Sequence, residues 1–305
     1  MKRTIVQQAN QAHTITLPIQ WVREHSLGKG SEIDLELFER TIILRTQNFV
    51  VDKSLSINAS KLSGKKLSNM IAAAYASGVD ILKIENEKDI TLELHTIFHT
   101  LIGYALVEHT KNIYTVKDIS GQNQVHIDQI MNQLFQMIIA YYEDAIKDIF
   151  NKPTVAESTL TARDAETNKF CLFVQRAINK QAYPDPLLGR IIFTYSYVLE
   201  IMSDEITRLW RRAKSPSFKS SKELKDLTLL SKQCLERAFE IYIHYTQEKV
   251  DELQSLRDKI RKLSATSEKN QPYVYHVVRI SEEATDLNHI ALMKNCIQRI
   301  GQSSS

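Results

Sequence analysis

Cysteine, glycine and proline are all scarce in this chain of 305 residues, which contains 3, 8 and 6 of them. The three cysteines (Cys171, Cys234 and Cys296) lie far apart and show no CxxC spacing, so they form neither a disulfide framework nor a cysteine-based zinc site. Few glycines and prolines mean few tight turns, which disfavours a β-sandwich or barrel and favours long helices. We therefore expect a mainly helical protein in a reducing compartment.

Long apolar runs and a strong excess of one charge are also missing. The longest apolar run has about five residues, whereas a helix that crosses a bilayer needs about 20. The first residues lack the apolar stretch of a signal peptide. With 43% apolar residues, 25% charged residues and a net charge of +3, the composition is that of a globular protein. We expect a cytoplasmic protein with no membrane insertion, and the net charge alone does not indicate nucleic acid.

The first 47 residues show the alternation of β-strands, interrupted by one short helix. Strand-like segments occupy residues 4–6, 14–17, 33–37 and 42–44, and the helix begins after Pro18 and ends at Gly28-Lys29-Gly30. A unit of about 45 residues buries too little surface to be stable alone, so we expect it to form a homodimer.

Residues 48–120 read as a small α/β connector. The pattern predicts helices at about residues 62–77 and 91–101, with strands at 81–84, 105–107 and 113–116. Gly78 and Gly103 lie where the two helices should end.

After residue 120, apolar residues recur every three or four positions, which is typical of helices. Breaks at Lys152-Pro153, Pro184-Asp185-Pro186, Ser215-Pro216-Ser217 and Pro272 help to divide this region into about six long helices. They predict two three-helix bundles, at residues 121–214 and 221–300. Acidic segments in the two bundles correspond at a period of about 80 residues, which indicates a duplicated unit.

The order of these three regions resembles archaeal phosphate-uptake regulators. The last ~180 residues are similar to the PhoU family of tandem three-helix bundles, whose signature is paired acidic residues on facing helices. The first 47 resemble AbrB or SpoVT-type swapped-hairpin DNA-binding domains through ITLPIQWV at residues 15–22 and GKGSEI at 28–33. The connector shares segments such as YASGVD at 75–80 and IGYALVE at 102–108. The resemblance implies an AbrB-like hairpin domain, an α/β connector and a PhoU-like six-helix bundle.

Two carboxylates, Glu200 and Asp204, lie four residues apart and therefore share one helix face, where they repel each other unless a cation intervenes. The PhoU resemblance implies a divalent or iron-type metal ion at such pairs, with further ligands on facing helices. The candidate metal ligands are Asp164, Asn168, Glu200, Asp204, Asp251 and Glu282. Three positions depart from the pattern: Asn168 and Gln247, the partner of Asp251, can ligate but bring no charge, and Val278, the partner of Glu282, cannot ligate. The alternative is a solvated acidic face with Arg163, Arg208 and Arg279 as ion-pair partners.

DNA binding by the N-terminal unit requires basic side chains on one surface, doubled by dimerisation. The candidates are Lys2, Arg3, Arg23 and Lys29, and Arg23 best matches a contact position of the AbrB-type motif. Six basic residues against five acidic ones leave the unit at about +1. The alternative is that the hairpins serve only to dimerise.

A basic stretch, which we call the bridge, lies between the two bundles. Its members are Arg208, Arg211, Arg212, Lys214, Lys219, Lys222 and Lys225, with Trp210 and Phe218 between them. Such a stretch could contact DNA or an acidic partner, or it could be a solvated helix end.

The sequence favours a regulator over an enzyme. No nucleophile elbow, glycine-rich phosphate cradle or substrate-positioning loop accompanies the carboxylates, so we assign no catalytic residue. We expect a DNA-binding transcriptional regulator of phosphate uptake. The alternative is a PhoU-type adaptor that docks on a phosphate transporter or sensor.

Overall fold

The computed structural model of the protein divides the chain into two compact units, Met1–Val51 and Asp52–Ser305. The structure describes residues 2–8, 12–38, 41–46, 52–120, 126–151, 156–180, 183, 185–265 and 270–303. The chain is mainly helical with a small N-terminal strand region, which confirms the predicted fold class at that level. None of the helices in these ranges has an apolar stretch of the length that a bilayer requires.

The first unit contains two antiparallel strand pairs and one short helix, in the order that the sequence predicts. Its elements are β1 (Val6–Gln7), β2 (His13–Thr14), α1 (Ile19–Glu24), β3 (Ile33–Phe38) and β4 (Thr41–Thr46). Strand β2 ends at Thr14, which lies opposite Val6, because β1 has only two residues for pairing. Residues 15–17, predicted as strand, therefore lie outside it.

The β3–β4 hairpin exposes one apolar face. Leu35 lies opposite Leu44 and Leu37 opposite Ile42, and these pairs share a face because strand side chains alternate. Leu37 is 77% exposed, Leu35 56% and Ile42 55%. No residue that the structure describes between positions 2 and 46 is buried, so this part of the unit has no core of its own.

In the second unit, the connector is a four-stranded sheet with two helices. Its elements are β5 (Ser54–Asn58), α2 (Lys65–Ala76), β6 (Ile81–Glu85), α3 (Thr91–Phe98), β7 (Tyr104–Thr110) and β8 (Ile113–Asp118), and the sheet order is β5-β6-β8-β7. Only the β5–β6 pair is parallel. Both predicted helices and the three predicted strands are present. Sequence analysis missed β5, an edge strand with only two apolar residues.

Gly78 ends α2 with a left-handed backbone, at φ +84°. The amide of Gly78 donates to the carbonyl of Tyr75, and that of Val79 to the carbonyl of Ala74, which is the Schellman arrangement at a helix end. Gly103 has φ +87°, and a Cβ there would lie 2.7 Å from the Asp118 carboxylate. Helix α3 ends at Phe98, earlier than predicted, because residues 99–101 form a tighter turn before Gly103.

The six predicted long helices are all present. They are α4 (Ile127–Phe150), α5 (Glu157–Asn179), α6 (Pro186–Ala213), α7 (Lys222–Ile243), α8 (Gln247–Ala265) and α9 (Gln271–Ser303). Asp185 caps α6 by accepting from the amides of Leu187 and Leu188, and Ser221 caps α7 by accepting from that of Leu224. Helix α4 packs on α5 and α6, α7 packs on α8 and α9, and the two halves meet through α6–α9 and α4–α7.

Buried hydroxyl groups tie the helices together inside this apolar core. Within the halves, the hydroxyls of Tyr141 and Thr207 lie 2.7 Å apart and those of Thr228 and Tyr273 lie 2.9 Å apart. Between the halves, the Tyr142 hydroxyl bonds to that of Ser231, and the Tyr195 hydroxyl donates to the carbonyl of Leu287 at 3.1 Å. These buried hydroxyls thus have partners, as stability in an apolar core requires, whereas the buried Tyr242 hydroxyl has none among the described residues.

The connector is joined to helix α5 by the buried side chain of Arg176, which is 3% exposed. Its guanidinium donates to the carboxylates of Asp80 (3.1 Å) and Asp118 (2.7 Å). It also donates to the carbonyls of Tyr75 (2.8 Å) and Val79 (2.7 Å), beside which α2 ends. The guanidinium carbon lies 4.9 Å from the centre of the Tyr75 ring, a cation–π contact. A charge at this depth is stable because it is fully paired.

Replacing this arginine should destabilise the second unit. In Arg176→Met, Asp80 and Asp118 lose their buried partner but keep the half-buried Lys180, at 2.6 and 3.4 Å, so the free energy of unfolding should fall by about 3 kcal/mol. Urea denaturation followed by circular dichroism measures the change.

The matched control is Arg299→Met, since Arg299 is exposed and forms no ion pair with any residue in the described ranges. Its free energy of unfolding should change by less than about 0.5 kcal/mol. Equal losses in the two variants would contradict a special role for Arg176.

Candidate functional site

The four predicted DNA-binding residues lie on the surface of the first unit. Lys2 and Arg3 precede β1, Arg23 lies in the last turn of α1, and Lys29 lies in the turn that follows. All four are exposed, and none forms an ion pair with another residue in the described part of the chain. Their charges are therefore free to meet phosphate groups.

Helix α1 presents Arg23 through a local arrangement of aromatic rings. The rings of Trp21 and His25 lie 4.9 Å apart, and His25 Nδ1 lies 2.9 Å from the carbonyl of Trp21 at the end of the helix. Trp21 and Val22 are half-buried, whereas Arg23 and Glu24 are exposed. The helix thus turns one basic and one acidic side chain to solvent, which limits its positive charge.

The carboxylates of the first half lie close enough to influence one another. Burial raises the pKa of Glu200, and the charges of Asp204 and Asp164 raise it further. Burial also raises the pKa of Asp204, although Arg208, 2.7 Å away, lowers it. Asp164 accepts a hydrogen bond of 2.9 Å from the Ser203 hydroxyl. The structure therefore brings Asp164, Glu200 and Asp204 into one electrostatic cluster.

Asn168 completes the predicted set on α5, and its amide oxygen is buried without a hydrogen-bond partner among the described residues. A buried, unpartnered oxygen next to repelling carboxylates is the kind of donor that a hard cation accepts. Yet within the described ranges no three His, Cys, Asp or Glu side chains are arranged to hold a metal ion. The residues of the first half thus supply suitable atoms without a closed ligand set.

The second half does not fit a metal. Both oxygens of Glu282 accept from Arg261, at 2.7 and 2.8 Å. Asp251 is exposed and accepts from the Gln247 amide at 2.9 Å. Glu282 thus has a basic partner and Asp251 lies on a solvated face.

The three arginines named as alternative partners all form ion pairs. Arg208 binds Asp204, as the solvated-face alternative requires. Arg163 binds Asp144 on α4 at 2.7 Å, and Arg279 binds Glu283 on its own helix. Only Arg208 therefore pairs with one of the candidate metal ligands.

A buried histidine–glutamate pair lies where α6 meets α9. His276 Nδ1 is 2.6 Å from a carboxylate oxygen of Glu205, and the two residues are 8% and 5% exposed. Arg208 also pairs with Glu205, and Arg279 with the buried Glu283. Burial raises the pKa of Glu283, which Arg279 partly offsets. Sequence analysis missed this cluster because single charged residues in an apolar helical pattern give no local signal.

Two of the seven bridge cations are used inside the bundle. Arg208 is paired with Asp204 and Glu205, and the ammonium of Lys214 pairs with the fully buried Asp148 at 2.5 Å. Asp148 also accepts from the Trp210 ring nitrogen at 2.7 Å. Lys214 and Trp210 thus stabilise the end of α6.

Comparison with protein-family models, curated proteins and solved structures finds no match to this chain. The resemblance to AbrB-type and PhoU-type domains therefore stays a prediction that rests on the residues quoted above.

Removing the charge of Glu200 should stabilise the protein at neutral pH. An acid whose folded pKa lies above its ordinary value, here 4.5, takes up a proton on folding. Its contribution to stability is present at low pH and is lost as pH rises through the folded pKa. Glu200→Gln should therefore unfold at a higher temperature than the parent near pH 7 and lose less stability above about pH 4.5. Thermal unfolding at several pH values measures both effects.

The control is Glu166→Gln, because Glu166 lies exposed on α5 and should show no such gain. The same series with added Zn²⁺ tests the metal alternative. If Zn²⁺ stabilises the parent and Glu200→Gln loses that stabilisation, Glu200 is a metal ligand and the solvated-face alternative is wrong.

Proposed function

We propose that the protein is a DNA-binding transcriptional regulator of phosphate uptake, PhoU-like in its bundle, which acts in the cytoplasm as a homodimer. The observation that carries the proposal is the first unit, in which the hairpin has an exposed apolar face and four surface cations form no ion pair with any described residue. The phosphate signal is proposed from the resemblance of the bundle and connector alone.

The homodimer is supported by the exposed apolar face of the β3–β4 hairpin. Leu35, Leu37 and Ile42 are each more than half exposed, and no described residue of the unit is buried. Burying such side chains contributes about 1.5–3 kcal/mol each. A second copy that covers this face would supply the core that the unit lacks.

DNA binding is supported by the basic side chains that remain unpaired. Lys2, Arg3, Arg23 and Lys29 are exposed, and a dimer would present each of them twice. Cations of this kind displace counterions from phosphates, which gives affinity for DNA that falls with salt.

A divalent or iron-type metal at Asp164, Asn168, Glu200 and Asp204 is part of the proposal, as the resemblance implies. Its support is the raised pKa of Glu200 and the unpartnered oxygen of Asn168. A bound cation would offset most of the negative charge of the three carboxylates. The competing arrangement is the ion pair between Asp204 and Arg208, with no metal.

The second candidate function is an adaptor that docks on a phosphate transporter or sensor and uses the hairpins only to dimerise. What favours it is the nearly balanced charge of the first unit, six basic residues against five acidic ones. This function requires the dimer but not the contact of Arg23 with DNA.

A charge on the exposed hairpin face should dissociate the homodimer. Leu37→Asp places a carboxylate where the second copy is proposed to pack, so sedimentation velocity should show a monomer where the parent sediments as a dimer. The matched control is Leu92→Asp in the connector, because Leu92 is 83% exposed. Leu92→Asp should remain a dimer, and a monomeric parent would contradict the proposal.

DNA crosslinked to the protein in cells held at low and at high phosphate tests the regulator directly. We expect recovery of sequences upstream of phosphate-transport genes, in amounts that change with phosphate. Arg23→Ala should reduce this recovery, whereas Arg190→Ala, an exposed arginine on α6, should leave it unchanged.

Failure to recover such sequences in either condition, with a stable dimer, would favour the adaptor. If the amount of recovered DNA does not change with phosphate, the proposed DNA binding stands and the proposed response to phosphate is wrong.

A further inference from the structure

Five cations at the junction of the two bundle halves lack carboxylate partners. They are Arg211, Arg212, Lys219, Lys222 and Lys225, and none forms an ion pair with a residue in the described ranges. Elsewhere in the bundle, most cations are paired, as with Arg163 and Asp144 or Arg237 and Glu252. Cations without an ion pair are thus concentrated in this part of the sequence.

The local sequence leaves an excess of positive charge there. Glu223 and Asp226 are the only acidic residues between positions 211 and 226. Lys214 is already neutralised by Asp148. Three positive charges therefore remain in surplus within 16 residues of the sequence.

The loop between α6 and α7, which carries Lys219, is held by contacts to residues at the start of α9. The amide of Lys219 donates to the Asn270 side chain at 3.2 Å, and the Asn270 side chain donates back to the carbonyl of Lys219 at 3.1 Å. The ring of Phe218 packs 4.9 Å from that of Tyr273. Because this backbone is already ordered, binding a ligand here costs little loop conformational entropy.

A cavity of about 320 Å³ opens beside Arg212. Its lining includes Arg212, Ser215, Ser217 and Asn270. The two serine hydroxyls lie 2.9 Å apart and share one hydrogen bond, so one O–H remains available to donate. A guanidinium next to hydroxyl and amide donors matches the oxygens of a phosphate group.

The same surface is poorly suited to a protein partner. Protein interfaces depend on aromatic or aliphatic anchors at their centre. In the described part of the chain, no strongly exposed large apolar residue lies between Tyr197 and Leu229. Phosphates, in contrast, need only cations and hydrogen-bond donors.

We propose that the bridge surface, defined by Arg211, Arg212, Lys219, Lys222 and Lys225, binds backbone phosphates of duplex DNA. This inference rests on the proposed regulator function and adds a second DNA contact to that of the first unit. The nearly neutral first unit has little charge with which to attract DNA, so the bridge supplies much of the sequence-independent affinity.

The test measures how duplex binding depends on salt, using the full chain and a labelled mixed-sequence duplex of about 30 base pairs. Each phosphate contact contributes about 0.9 to the slope of log affinity against log salt. Arg211→Gln/Arg212→Gln should therefore reduce the magnitude of the slope by about 1.8 and weaken binding at about 50 mM salt. Thermal unfolding checks that the variant folds, as expected for two exposed side chains without partners.

The matched control is Arg190→Gln/Arg299→Gln, which removes the same charge from exposed, unpaired arginines near the other ends of α6 and α9. Its slope should equal that of the parent. A bridge variant with an unchanged slope, or equal losses in both variants, would overturn the bridge inference.

The Arg23→Ala variant distinguishes failure of the bridge inference from failure of the proposed regulator function. If Arg23→Ala weakens duplex binding and the bridge variant does not, the regulator stands and the bridge inference is wrong. If the parent binds no duplex at about 50 mM salt, both are wrong.

Discussion

The guanidinium of Arg176 determines how the second unit is built, because its charge is stable at that depth only while every neighbour stays in place. Its partners come from the end of α2, from Val79 and Asp80 before β6, and from Asp118 at the end of β8. Positive charge also suits the carboxyl end of α2, where helix carbonyls accumulate negative potential. Arg176 thus links the connector to the bundle, and a displacement of α5 at this residue would break hydrogen bonds to the connector.

The first unit obtains its stability differently. The second unit buries two extensive apolar clusters, one in the bundle and one in the connector. The described part of the first unit buries none of its residues. If the unit forms the proposed homodimer, its folding, its dimerisation and any DNA contact that the paired hairpins make become a single equilibrium.

The sequence predicted the long helices well because they have apolar stripes and most of them end near a proline or serine break, such as Ser215-Pro216-Ser217. It could not predict the Arg176 network, since Asp80 and Asp118 lie 96 and 58 residues away and no local pattern links them. The spacing of Glu200 and Asp204 did place them in one charged cluster. For Glu282, however, the nearest basic partner, Arg261, comes from the preceding helix, and spacing within one helix carries no information about that.

The hydroxyl ties between Tyr142 and Ser231 and between Tyr195 and Leu287 limit how the two bundle halves can move. Sliding one helix past another by one turn is a displacement of about 5.4 Å. Such a step would strand both tyrosine hydroxyls in an apolar core, at about 1–3 kcal/mol for each. These hydrogen bonds therefore oppose sliding of one bundle half past the other by a helical turn. A relative movement of the halves that keeps both hydrogen bonds is therefore confined to small displacements.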